Sequence, residues 1–116
     1  MREILFRGKR TINGDWVYGD FVHGNERKSL RDSIFVYDSE TQSFNDYEIN
    51  PSTLGQYTGL TDKNGKRIFE NGYMIIDKQT YKVLFDNGEY ILKNIFNCDI
   101  IQLKNNSNIG VFVDEI

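Results

Sequence analysis

The chain has 116 residues, 27% of them charged, and a formal net charge of −3 at pH 7. That length suits one domain, or two small halves sharing a core, and buries enough apolar surface to fold without a metal or disulfide framework. A single cysteine, Cys98, and a single histidine, His23, are too few for an intrachain disulfide or a zinc site, so no cofactor and no metal are expected.

Alanine, the strongest helix former, is absent, and Pro51 is the only proline. Asn-Gly, the strongest short-range hairpin signal, occurs at 13-14, 64-65, 71-72 and 87-88. The expected fold class is therefore all-β, with a chain that repeatedly doubles back.

In chain order, "EILF" (3–6) reads as a strand and "INGD" as a turn. "DWVYGDFVH" (15–23) reads as a second strand, with Gly19 at a bulge or a close backbone approach. Residues 23–33 are polar and charged, a loop or one helical turn. "SIFVYD" and "NDYEI" flank "SETQSF" as a hairpin, and Asn50-Pro51-Ser52 opens a connection that suits a short turn of helix.

Further on, "TDKNGK" turns around Asn64-Gly65, "RIFE" is a short strand, and Asn71-Gly72 leads into "YMIID", an apolar run suited to a strand covered on both faces. "TYKVLFDNGEYIL" is the clearest hairpin: Tyr81, Val83 and Phe85 alternate with Lys82, Leu84 and Asp86, and the turn falls on Asn87-Gly88. "DIIQL" and "GVFV" bracket "KNNSN", a loop too rich in asparagine for regular structure. Residues 67–113 then form a meander of about five short strands, the pattern of a small barrel or roll. The N-terminal part is a β extension to it, with a soft division at residue 52 between 1–52 and 53–116.

The segment "QYTGLTDKNGKRIFENGY" (56–73) invites two readings. Its glycines and asparagines serve turns, Ile68 and Phe69 serve packing, and Lys63, Lys66 and Arg67 solvate a hairpin tip. Alternatively, Lys63, Lys66 and Arg67 beside Tyr57 and Phe69 form a basic and stacking surface for single-stranded nucleic acid. Two more basic clusters, Arg2, Arg7, Lys9, Arg10 and Arg27, Lys28, Arg31, make that reading credible only where they meet on one face.

"REILFRGKR", "GDWVYGDFV" and above all "GQYTGLTDKNGKRIFENGY" resemble the YopX family of small bacteriophage and prophage proteins, whose hallmark has the form QYTGL-D-NGK-IYEGD. The resemblance extends over the whole chain, most loosely at residues 24–50. It implies a phage or mobile-element origin in a bacterium, a mostly β protein with an SH3-like C-terminal barrel, and no established activity. The chain departs from the pattern at Gly72-Tyr73, where the family usually carries Gly-Asp, and in its ending "NIGVFVDEI".

No enzyme is expected. His23 and Cys98 lie in no nucleophile motif, the glycines of 59–65 lack the Gly-Lys-Ser/Thr of a phosphate loop, and the aspartates sit beside turns. The favoured function is binding: self-association as a homo-oligomer, or contact with a protein partner, through edge strands and the aromatics Trp16, Tyr18 and Tyr37. A nucleic-acid-binding accessory module is the alternative. No run suits a signal-peptide core or a membrane span, so a soluble cytoplasmic protein of a bacterial host, with no membrane partner, is expected.

Overall fold

A computed structural model describes residues 3–25, 27 and 31–116; of the basic residues singled out above, Arg2 and Lys28 lie outside them. The chain is mainly β, with β1 (Phe6–Lys9), β2 (Trp16–Val22), β3 (Ser33–Asp38), β4 (Ser43–Glu48), β5 (Gly55–Thr61), β6 (Arg67–Phe69), β7 (Tyr73–Ile76), β8 (Gln79–Asp86), β9 (Glu89–Asn94), β10 (Ile100–Gln102) and β11 (Val111–Val113). Among the described residues, no helix is long and apolar enough to cross a membrane. Two compact units divide within β5: Ile4–Gln56, and Tyr57–Ile116 together with Glu3.

In the N-terminal unit every pairing is antiparallel, in the order β4-β3-β2-β1-β5. The first strand begins later than the apolar run suggests, at Phe6 rather than Glu3, because the turn at Asn13-Gly14 sets the register from Phe6↔Gly19 to Lys9↔Trp16. β2 pairs with β1 through its first half and with β3 through its second, from Asp20↔Phe35 to Val22↔Ser33. Gly19 is the crossing point: a Cβ there would collide with the Phe35 carbonyl oxygen, so this glycine marks a close backbone approach.

The chain leaving β4 then returns along the other side of β1. Ile49 bridges Arg10, the Asn50 N–H donates to the Lys9 carbonyl (2.9 Å), and Gly55 pairs with Arg7. Between them lies a 3-10 turn, Pro51–Thr53, where the Asn50 side chain accepts from the Ser52 N–H. The apolar core enclosed this way is small, with Ile34 and Ile49 fully buried, and on the opposite face of β1 Arg7 is only 1% exposed.

The C-terminal unit has a five-stranded antiparallel sheet, β10-β9-β8-β7-β11, and a β5–β6 hairpin. The β8–β9 hairpin follows the alternation seen in the sequence, and Asn87-Gly88 adopts positive φ at both residues (48° and 81°). The last strand departs from a simple meander, because β11 pairs with β7 and not with its chain neighbour β10. "KNNSN" is not irregular throughout: Leu103–Asn105 and Ser107–Ile109 form 3-10 turns, anchored by the buried Leu103. Nor is "YMIID" covered on both faces: Met74 and Ile76 point inward while Ile75 is exposed. Met74, Val83, Leu92, Leu103 and Phe112 make a dense apolar core.

Candidate functional site

The hallmark segment folds around Asp62. β5 and β6 pair at Tyr57↔Phe69 and Thr61↔Arg67 with a shift of register between them. Gly59 (φ 87°) takes up the irregularity, and the Thr58 hydroxyl donates to the Ile68 carbonyl (2.8 Å). In the turn that follows, the Asp62 carboxylate accepts the N–H groups of Asn64 (2.8 Å) and Lys66 (2.9 Å) through Oδ1, and that of Phe112 (2.8 Å) through Oδ2. The Lys63 N–H donates to the Gly110 carbonyl (3.1 Å). One aspartate thus shapes the Asn64-Gly65 turn and fastens it to β11.

Burial of Asp62 raises its pKa, but the N–H groups of Phe112, Lys66 and Asn64 and the charge of Lys66 outweigh that effect. The carboxyl therefore titrates below its ordinary value of 3.8.

Of the five residues of the expected basic and stacking surface, the two aromatics are buried and the three cations, Lys63, Lys66 and Arg67, exposed. Tyr57 and Phe69 are buried against each other, with ring centroids 5.6 Å apart. Arg67 pairs with Glu3 (3.0 Å) and lies 5.6 Å from the Tyr57 ring; Lys66 lies 5.5 Å from the Phe112 ring and 4.0 Å from the Asp114 carboxylate. Carboxylates beside both cations offset the charge that a phosphate would need. Tyr57, Thr58, Gly59 and Leu60 also line an open cleft of about 480 Å³, where Glu3 and Glu89 face Lys104.

The expected interface residues divide too. Trp16 is half-buried, with the Arg7 guanidinium 3.9 Å and the Lys9 ammonium 5.4 Å from its ring, and it serves the interior of its unit. Tyr18 and Tyr37 are exposed on the outward face of β2–β3–β4. Phe44, which the sequence did not single out, stands opposite Tyr37 on β4, with the rings 5.3 Å apart and exposures of 57% and 55%. Asp20, Asp46 and Val22 share this face, and β4 is the outermost strand of the sheet order.

His23 and Cys98 have separate local roles. The His23 imidazole lies 3.1 Å from Asp32, while Cys98 is exposed at positive φ (64°) in the turn after β9. Asn94 is the buried organiser of that turn: its side-chain oxygen accepts the N–H groups of Phe96 and Asn97, and its amide donates to Gln79. Tyr73, standing where the family usually has aspartate, opens β7 opposite Lys82 and Val113.

Comparison with curated proteins finds no match for this chain. The family model described as YopX protein matches residues 5–112, and the chain therefore belongs to the YopX family.

Proposed function

We propose that this YopX protein is a binding module without catalytic activity, of phage or prophage origin and working in the bacterial cytoplasm, that self-associates through the outward face and free edge of β4. The observation that carries the reading is the Tyr37–Phe44 pair, both rings more than half exposed on the outermost strand pair of the sheet order. Cross-strand aromatics of this kind stabilise a sheet pair only modestly, by about 0.5–1.5 kcal/mol beyond the area they bury. Their exposed surface is the type that anchors interfaces. An edge strand supplies the unpaired N–H and C=O groups that a second copy of the same strand can satisfy.

Light scattering behind size exclusion at two protein concentrations tests the proposal. The expected mass approaches twice the 13.6 kDa of the chain at the higher concentration. Phe44→Ser returns it to a single chain. A mass that stays at 13.6 kDa at both concentrations overturns the reading.

A further inference from the structure

Members of both basic clusters line adjoining cavities in the N-terminal unit. Lys9 and Arg10, at the end of β1, and Arg31, just before β3, line a cavity of about 470 Å³. Arg31 also lines the adjoining cavity of about 780 Å³, together with Arg27 and His23, and the two cavities share Asp32 and Pro51. One groove thus carries cations from β1 and from the segment before β3.

The local charge opposes that of the chain. Among the described residues that line the two cavities, Arg10, Arg27 and Arg31 stand against the carboxylates of Asp32 and Glu48. Asp32 Oδ1 is already engaged, accepting the Gly24 N–H at 2.6 Å and lying 3.1 Å from His23 Nδ1. Arg10 is braced by an aromatic ring, its guanidinium 4.6 Å from Tyr47, whereas the neighbouring Lys9 lines the cavity with its backbone and turns its ammonium to Trp16 on the opposite face of the strand. Such bracing reduces the conformational entropy lost when a long side chain is held against a ligand. Arg27 and Arg31 are exposed.

We propose that this groove binds single-stranded nucleic acid through its phosphate backbone. Cations distributed along a continuous concavity match a repeating anion better than a single one, and a flexible strand follows a concave path that a stiff duplex does not. The inference rests on side chains other than those proposed for self-association, so either reading can fail alone.

The test is fluorescence anisotropy with a labelled oligothymidine of about twenty nucleotides. With Arg10, Arg27 and Arg31 engaged, the logarithm of affinity should fall with the logarithm of salt at a slope of about −2, a loss of roughly twenty-fold between about 50 and 200 mM. The double variant Arg27→Glu/Arg31→Glu, at exposed positions, should lose at least about ten-fold in affinity and bring the slope to about −0.7 or flatter. Circular dichroism confirms that this variant is folded. Lys104→Glu, in the other unit, and Phe44→Ser should bind as the parent does, and a duplex of the same length should bind more weakly. Absence of binding at low salt, unchanged affinity in the double variant, or tighter binding of the duplex would overturn the proposal.

Discussion

The two units use the same antiparallel pairing and differ in what they bury. In the C-terminal unit Ile68, Met74, Val83, Leu92, Leu103 and Phe112 are all buried, and two of its exposed cations, Lys66 and Arg67, are set beside carboxylates and rings of the same unit. In the N-terminal unit the fully buried apolar residues, among those described, are Ile34 and Ile49, and the largest buried side chain is Arg7. That unit leaves Tyr18, Tyr37 and Phe44 at its surface. The contrast is one of core and not of surface: the C-terminal unit also exposes Phe85 and Phe96, so what sets the N-terminal unit apart is how little apolar side chain it buries. The hallmark segment, which looks most like a site in the sequence, lies in the first kind of unit.

The comparison can be broken most directly at Phe112. Phe112→Ala deletes a ring that is 1% exposed and should cost about 3–5 kcal/mol, read as a large fall in the urea midpoint by far-ultraviolet circular dichroism. A loss below about 1 kcal/mol would mean that the C-terminal core is looser than its burial indicates.

Arg7→Ala tests the other unit. It removes the buried side chain and its contact with Trp16, and about 2–3 kcal/mol is expected. Because Trp16 is the only tryptophan, its fluorescence follows the N-terminal unit. The parent protein should show a fluorescence midpoint in urea below the circular dichroism midpoint, and Arg7→Ala should widen the gap.

Asp62→Asn sharpens the account of the hallmark turn. It keeps the shape but weakens charge-assisted bonds from Asn64, Lys66 and Phe112, for an expected loss of about 1.5–2 kcal/mol at neutral pH. The sign with pH follows from the lowered pKa. A carboxyl that holds its proton less tightly when folded stabilises the fold fully above its unfolded value, near 3.8, and that contribution disappears as pH falls through the lower folded value. The stability difference between parent and variant should therefore be constant above about pH 5 and shrink in acid. A difference that grows in acid would contradict the hydrogen-bond geometry. The smallest effect belongs to Phe44→Ser, which should cost monomer stability about 0.5–1.5 kcal/mol, through loss of the ring pair with Tyr37, while abolishing self-association.

Much of the strand pattern was legible. Asn87-Gly88, the alternation of Tyr81, Val83 and Phe85, and Pro51 at the start of a 3-10 turn all act through neighbours in sequence. The turn between β7 and β8 was not visible, because it uses Asp77 and Lys78, both at positive φ, where no glycine announces it. The site was less legible than the fold. Tyr57 and Phe69 have the composition of a stacking platform, and Arg7 that of a surface cation, yet all three are buried. Phe44 sat in the expected connection of a hairpin rather than in its strand, and only its register opposite Tyr37 makes it part of an aromatic face.

By itself the sequence determined where this chain reverses and which segments extend, because positive φ at asparagine and glycine and the two-residue period of a strand are local properties. Tertiary structure alone decided which aromatics face water and which charges are satisfied. The Asp62 carboxylate finds the Phe112 N–H across 50 residues of chain, and Arg10 and Arg31 line a common cavity from separate elements. Burial and charge pairing depend on which distant strands meet, and no local signal encodes that meeting.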